Sequence, residues 1–125
     1  MNRSPLILAG VAALMGAAGV GLAAAAVHQS GGELASRGAL FLLIHAVAAL
    51  AIAAHARAAA AESRPLVVVG FVMEAGAALF SGELAVRAFT GERIFPFAAP
   101  IGGTTMLLSW VALAFVFAAA AWRDR

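Results

Sequence analysis

The chain has 125 residues, 64% of them hydrophobic and 11% charged, with a mean hydropathy of +1.00, against roughly 25% charged and 45–50% apolar in a soluble domain. A soluble fold of this length could not bury so much apolar surface, so the composition predicts one membrane domain over residues 1–125 with no room for a second. From a net charge of +2 on arginines scattered along the chain, no basic patch for nucleic acid or anionic lipid is expected, and the absence of Cys excludes disulfides, thiolate metal sites and thiol catalysis.

Four apolar runs are long enough to cross a hydrocarbon core about 30 Å thick, which takes about 20 residues of helix. The first is predicted over 5–27, behind a short head containing Arg3. It is read as a retained helix and not a secretory signal, because it is long for a signal core and three more spans follow. Ala9, Ala13, Ala17, Gly21 and Ala25 recur at four-residue spacing, so this helix is expected to be an interior packing element. Residues 28–36 (HQSGGELAS) read as a turn, because Gly31 and Gly32 break a helix and the rest is polar. The second span is predicted over 38–55 and holds His45 well inside. After the connection 57–64, Pro65 suits the first turn of the third span, predicted over 66–88. There Gly70, Glu74, Ala78 and Gly82 share four-residue spacing, which places Glu74 on a small-residue face and away from lipid. The fourth span is predicted over 101–122, with Trp122 and a charged tail at its end and Trp110 in its middle. The indole N–H of Trp110 then needs a partner on another helix.

The fold class is therefore all-α, an integral membrane bundle of four transmembrane helices. Orientation follows from arginines near the span ends. Arg3, Arg57, Arg64, Arg123 and Arg125 lie on one side and Arg37, Arg87 and Arg93 on the other, which favours N- and C-termini on the cytoplasmic side.

Depth arithmetic picks out one polar constellation. At 1.5 Å per residue, His45 lies roughly 11 Å below one face and Glu74 roughly 14 Å above the opposite face, within a turn of the same height. His45 and Glu74 are thus the candidate buried polar pair, expected to form a hydrogen-bonded clasp that sets helix register. Glu83 and Arg87 are spaced to pair at the outer interface. Ser81-Gly82 reads as a close helix contact with the hydroxyl bonded to backbone. The nucleophile-elbow reading fails for lack of its strand-to-helix setting and triad partners. Phe89, Phe95 and Phe97 read as an interfacial belt.

Phe80-Ser81-Gly82, Leu84, Thr90-Gly91 and Pro100-Ile101-Gly102-Gly103 resemble the signature of domain-of-unknown-function family 423. This is a group of small four-helix membrane proteins that includes bacterial inner-membrane proteins and the eukaryotic transmembrane protein 256. Ala26-Val27-His28 and His45-Ala46 are similar to its two His-containing motifs. The chain departs from the family at Glu83, where a small hydroxyl residue is usual, at Ala85, where an aromatic is usual, and in its shorter first loop. The resemblance implies the architecture and an inner-membrane location, and it carries no settled biochemical role.

The residues point to no catalytic centre, metal site or cofactor. The expected function is a small accessory or structural membrane component without catalysis of its own, with the lipid bilayer, a second copy or a larger membrane complex as partners and no nucleic acid. The alternative is a carrier or relay for a proton, quinone or other small lipid-soluble molecule through His45 and Glu74.

Overall fold

A computed structural model describes residues 2–125, and among them there are four helices and no strand. These are α1 (Ser4–Ala26), α2 (Gly32–Ala58), α3 (Ser63–Thr90) and α4 (Ala98–Arg123), of 23, 27, 28 and 26 residues. Each is long and apolar enough to cross a membrane, so the all-α, four-span architecture holds and the chain is an integral membrane protein.

The helix ends follow from local chemistry. The carbonyl of Arg3 accepts the N–H groups of Leu6 and Ile7, and Pro5 sits in the first turn, where its missing donor costs nothing. At the end of α3, Gly91 takes a left-handed conformation (φ 73°) and donates its N–H to the Arg87 carbonyl. The Thr90 hydroxyl donates to the Val86 carbonyl and accepts the Glu92 N–H, so Thr90-Gly91 is a helix stop.

Four boundaries differ from the sequence reading by three residues or more: the start of α2, its end at Ala58 against 55, the start of α3 at Ser63 against 66, and the start of α4. Helix α2 starts at Gly32 and not at 38, because Gly31 supplies the cap carbonyl for Leu34 and Ala35 and Glu33 pairs with Arg37 one turn on (3.2 Å). Residues 32–36 of the polar stretch read as turn are in fact the first turn of a helix that overshoots the apolar run, and 28–31 remain the turn. Helix α4 likewise starts at Ala98 and carries Pro100 in its first turn.

Helix α1 packs on α2, α2 on α3 and α3 on α4, with a lighter contact between α1 and α3. Helix α3 is thus the one that meets all the others. In the most apolar stretch of each helix, 44% of residues are buried in α2 and α3 but only 17% in α1 and α4. The expectation that α1 is an interior element fails. Its buried face is Pro5, Leu8, Ala12, Gly19 and Ala26, whereas Ala13, Ala17 and Gly21 face outward. Four-residue steps advance about 40° each around a helix of 3.6 residues per turn, so a five-member stripe winds roughly 160° and leaves any single face. The same drift carries the α3 stripe outward: Gly70 and Glu74 are buried, and Ala78 is exposed.

The tightest crossing joins α3 to α4. A Cβ added to Gly102 would stand 2.6 Å from the Phe80 nitrogen, and one added to Gly76 would stand 3.0 Å from the Gly102 carbonyl oxygen. Backbones meet there because neither helix carries a side chain. At the end that holds both termini, Glu62 pairs with Arg123 and the Asn2 amide donates to the Ser63 hydroxyl (3.4 Å).

Candidate functional site

His45, on α2, is 3% exposed. Its Nδ1 lies 2.6 Å from the Phe41 carbonyl oxygen one turn earlier, and its Nε2 lies 3.1 Å from the indole nitrogen of Trp110 on α4. A carbonyl can only accept and an indole N–H can only donate, so the two contacts together select the neutral tautomer with its proton on Nδ1. The imidazole and indole rings meet edge to face, with centroids 6.1 Å apart. Trp110 therefore finds the partner on another helix that its mid-span position requires.

That partner is not available to Glu74. The expected His45–Glu74 clasp is absent: both groups are buried, but His45 is engaged by Phe41 and Trp110, and neither carboxyl oxygen of Glu74 has a hydrogen-bond partner. Depth arithmetic constrains only height along the bundle and says nothing of which way each side chain faces. Gly70, one turn before Glu74, is where Leu8 of α1 and Ile52 of α2 press against α3. Glu74 accordingly lies on the α1–α2 side of α3, while His45 reaches toward α4. Ser81 also departs from expectation. Its backbone does approach α2, since a Cβ on Gly38 would lie 3.2 Å from the Ser81 carbonyl oxygen, but its hydroxyl is buried without a partner. The hydroxyls of Thr105 and Ser109 on α4, by contrast, donate to the carbonyls of Ile101 and Thr105.

Glu83 makes a structural contact that the sequence reading missed. It is 2% exposed, and its carboxylate accepts the backbone N–H of Ile94 at 2.8 Å, so it holds the α3–α4 loop against the end of the bundle. The expected Glu83–Arg87 pair does not form; among the described residues the ion pairs are Glu33–Arg37 and Glu62–Arg123. Arg87, one turn further on, makes no ion pair, and the Glu83 carboxylate is taken by the Ile94 amide. The available signal was the departure at this position: a hydroxyl and a carboxylate are both acceptors.

The remaining motif residues gather where α3 turns into α4. Phe80 meets Gly102 by its backbone and Gly103 by its ring, Thr90 and Gly91 stop α3, and Pro100 sits in the first turn of α4. Gly82 has nothing within 4 Å of the position a Cβ would take, so it is open to the outside. His28 is exposed in the α1–α2 turn, and His55 is exposed in the last turn of α2 with its ring edge-on to Phe117. The Phe80, Thr90-Gly91 and Pro100 to Gly103 parts of the motif thus build the α3–α4 hairpin, while His28, His45 and His55 lie outside it.

An open cleft of about 640 Å3 lies between α2 and α4, with Phe41, His45, Phe80, Met106 and Trp110 among its walls, and Glu74 does not line it. The family described as "Protein of unknown function (DUF423)" matches residues 15–103, more than half of the chain. No solved structure matches it. With that match running from within α1 to the first turns of α4, the chain belongs to the DUF423 family.

Proposed function

We propose that this protein is an accessory component of a cytoplasmic membrane, without catalysis of its own, that associates through its outer helix faces with a second copy or a larger membrane complex. The observation that supports this reading is the bare small-residue surface of α1. Gly10, Ala13, Ala17 and Gly21 are exposed, and a Cβ on Gly10 or Gly21 would meet nothing within 4 Å. In lipid, helices associate through close packing of such faces, because apolar side chains gain nothing by leaving hydrocarbon tails. The competing relay through His45 and Glu74 needs one cavity that serves both groups. The cleft beside His45 stops short of Glu74, and the imidazole nitrogens are already engaged.

Native mass measurement in a gentle detergent tests the proposal. The expected particle is a multiple of the 12.6 kDa chain or carries a co-purifying subunit, and Ala17→Leu with Gly21→Leu should dissociate it. A strictly monomeric particle with nothing co-purifying overturns the reading.

A further inference from the structure

The end of the molecule that holds both termini carries a second cleft, of about 350 Å3, between the start of α1, the end of α2 and the start of α3. Arg3 and Arg57 line it together with Asn2 and Ser63, and Leu6 and Ala56 form its apolar part. Both guanidinium groups are exposed, and neither has an ion-pair partner among the described residues. The acid nearest in sequence at this end, Glu62, is committed to Arg123. No carboxylate is among the residues that line the cleft with these two cations.

The charge of the whole chain is polarised in the same sense. The end with the termini carries Arg3, Arg57, Arg64, Arg123 and Arg125 against Glu62 and Asp124. The opposite end balances Arg37, Arg87 and Arg93 with Glu33, Glu83 and Glu92. The net positive charge therefore sits where the cleft is. A basic pocket between transmembrane helices at the membrane edge has the chemistry that recognises a lipid phosphate, and each guanidinium can hold two phosphate oxygens in a planar fork.

We infer that this cleft binds the phosphodiester headgroup of an anionic phospholipid, with Arg3 and Arg57 clamping the phosphate. The lipid is favoured over free phosphate by the apolar part of the lining. Pro5, Leu6, Ala56 and Ala60 line the cleft, and Leu6 and its neighbour Ile7 are exposed on α1, so an acyl chain has apolar surface beside the phosphate. The inference holds for a monomer or an assembly, so it stands or falls separately from the proposed association.

The test uses the full chain purified in a non-ionic detergent, with phosphatidylglycerol, phosphatidylcholine or inorganic phosphate added, read by native mass spectrometry and by thermal midpoint. Phosphatidylglycerol should be retained saturably at one per chain and raise the midpoint, and the other two should not. With each arginine near a lipid surface contributing about a fivefold factor, Arg3→Gln with Arg57→Gln should weaken retention roughly 30-fold, and Arg57→Gln alone about fivefold. Arg37→Gln with Arg93→Gln, at the other end, should leave it unchanged. The lipid-free midpoint of the cleft variant should equal that of the parent chain, because both side chains are exposed. Undiminished retention in the cleft variant overturns the inference, as does an equal loss in the control pair or an equal midpoint shift from inorganic phosphate alone.

Discussion

Trp110 and His45 satisfy each other across the gap between α2 and α4, and each loses its partner if the other is truncated. A stranded buried polar group typically costs about 1–3 kcal/mol, whereas replacing both partners with apolar groups of similar shape can be nearly neutral. Trp110→Phe and His45→Ala should each lower the thermal midpoint in detergent, and His45→Leu combined with Trp110→Phe should recover much of the loss. Glu74 should behave in the opposite way. Neither of its oxygens has a partner, so Glu74→Met removes a polar group and no hydrogen bond, and the midpoint should stay the same or rise. A fall in Glu74→Met that is rescued by a change at His45 would restore the clasp that the structure lacks.

At the level of elements, the α3–α4 hairpin depends on where a side chain is missing. Gly102→Ala would place a Cβ 2.6 Å from the Phe80 nitrogen, forcing the helices apart at an expected cost of about 1–3 kcal/mol or more. Gly82→Ala, in the same motif, meets nothing within 4 Å and should be neutral or slightly stabilising, because Ala is the better helix former. Thermal midpoints of the two variants measured side by side would check this, and equal losses would refute it. The loop of the hairpin is held by Glu83. Glu83→Ala should free the Ile94 amide and speed its hydrogen exchange selectively, while Glu83→Gln, which keeps an acceptor oxygen, should retain most of the protection.

For the whole molecule, the open questions are orientation and company. Both termini share one end with the α2–α3 turn, where five of the eight arginines lie. That bias predicts that this end faces the cytoplasm. A Cys placed at the exposed position 93, in the α3–α4 loop, should react with an impermeant thiol reagent added from outside to intact cells. Protection from outside with labelling only after lysis would invert the topology.

Hydropathy and length by themselves determined four helices long and apolar enough to span a membrane and an all-α fold, because these are sums over neighbouring residues. The helix stop at Thr90-Gly91 was legible for a similar reason, since its hydrogen bonds close within one turn. The demand of Trp110 for a partner was legible too, but not the partner's identity. Tertiary structure decided every question of azimuth. Four-residue stripes on α1 and α3 looked like packing faces, and helical drift turned part of each outward. His45 and Glu74, set at one height by arithmetic, do not meet: the Gly70 crossing one turn before Glu74 faces α1 and α2, while His45 bonds Trp110 on α4. Arg3 and Arg57, scattered when counted along the chain, come to line one cleft only when the start of α1 is laid beside the end of α2. Local sequence carries the period of a helix. The rotation of one helix against another depends on side chains that are far apart in the chain, and it is settled only when they pack.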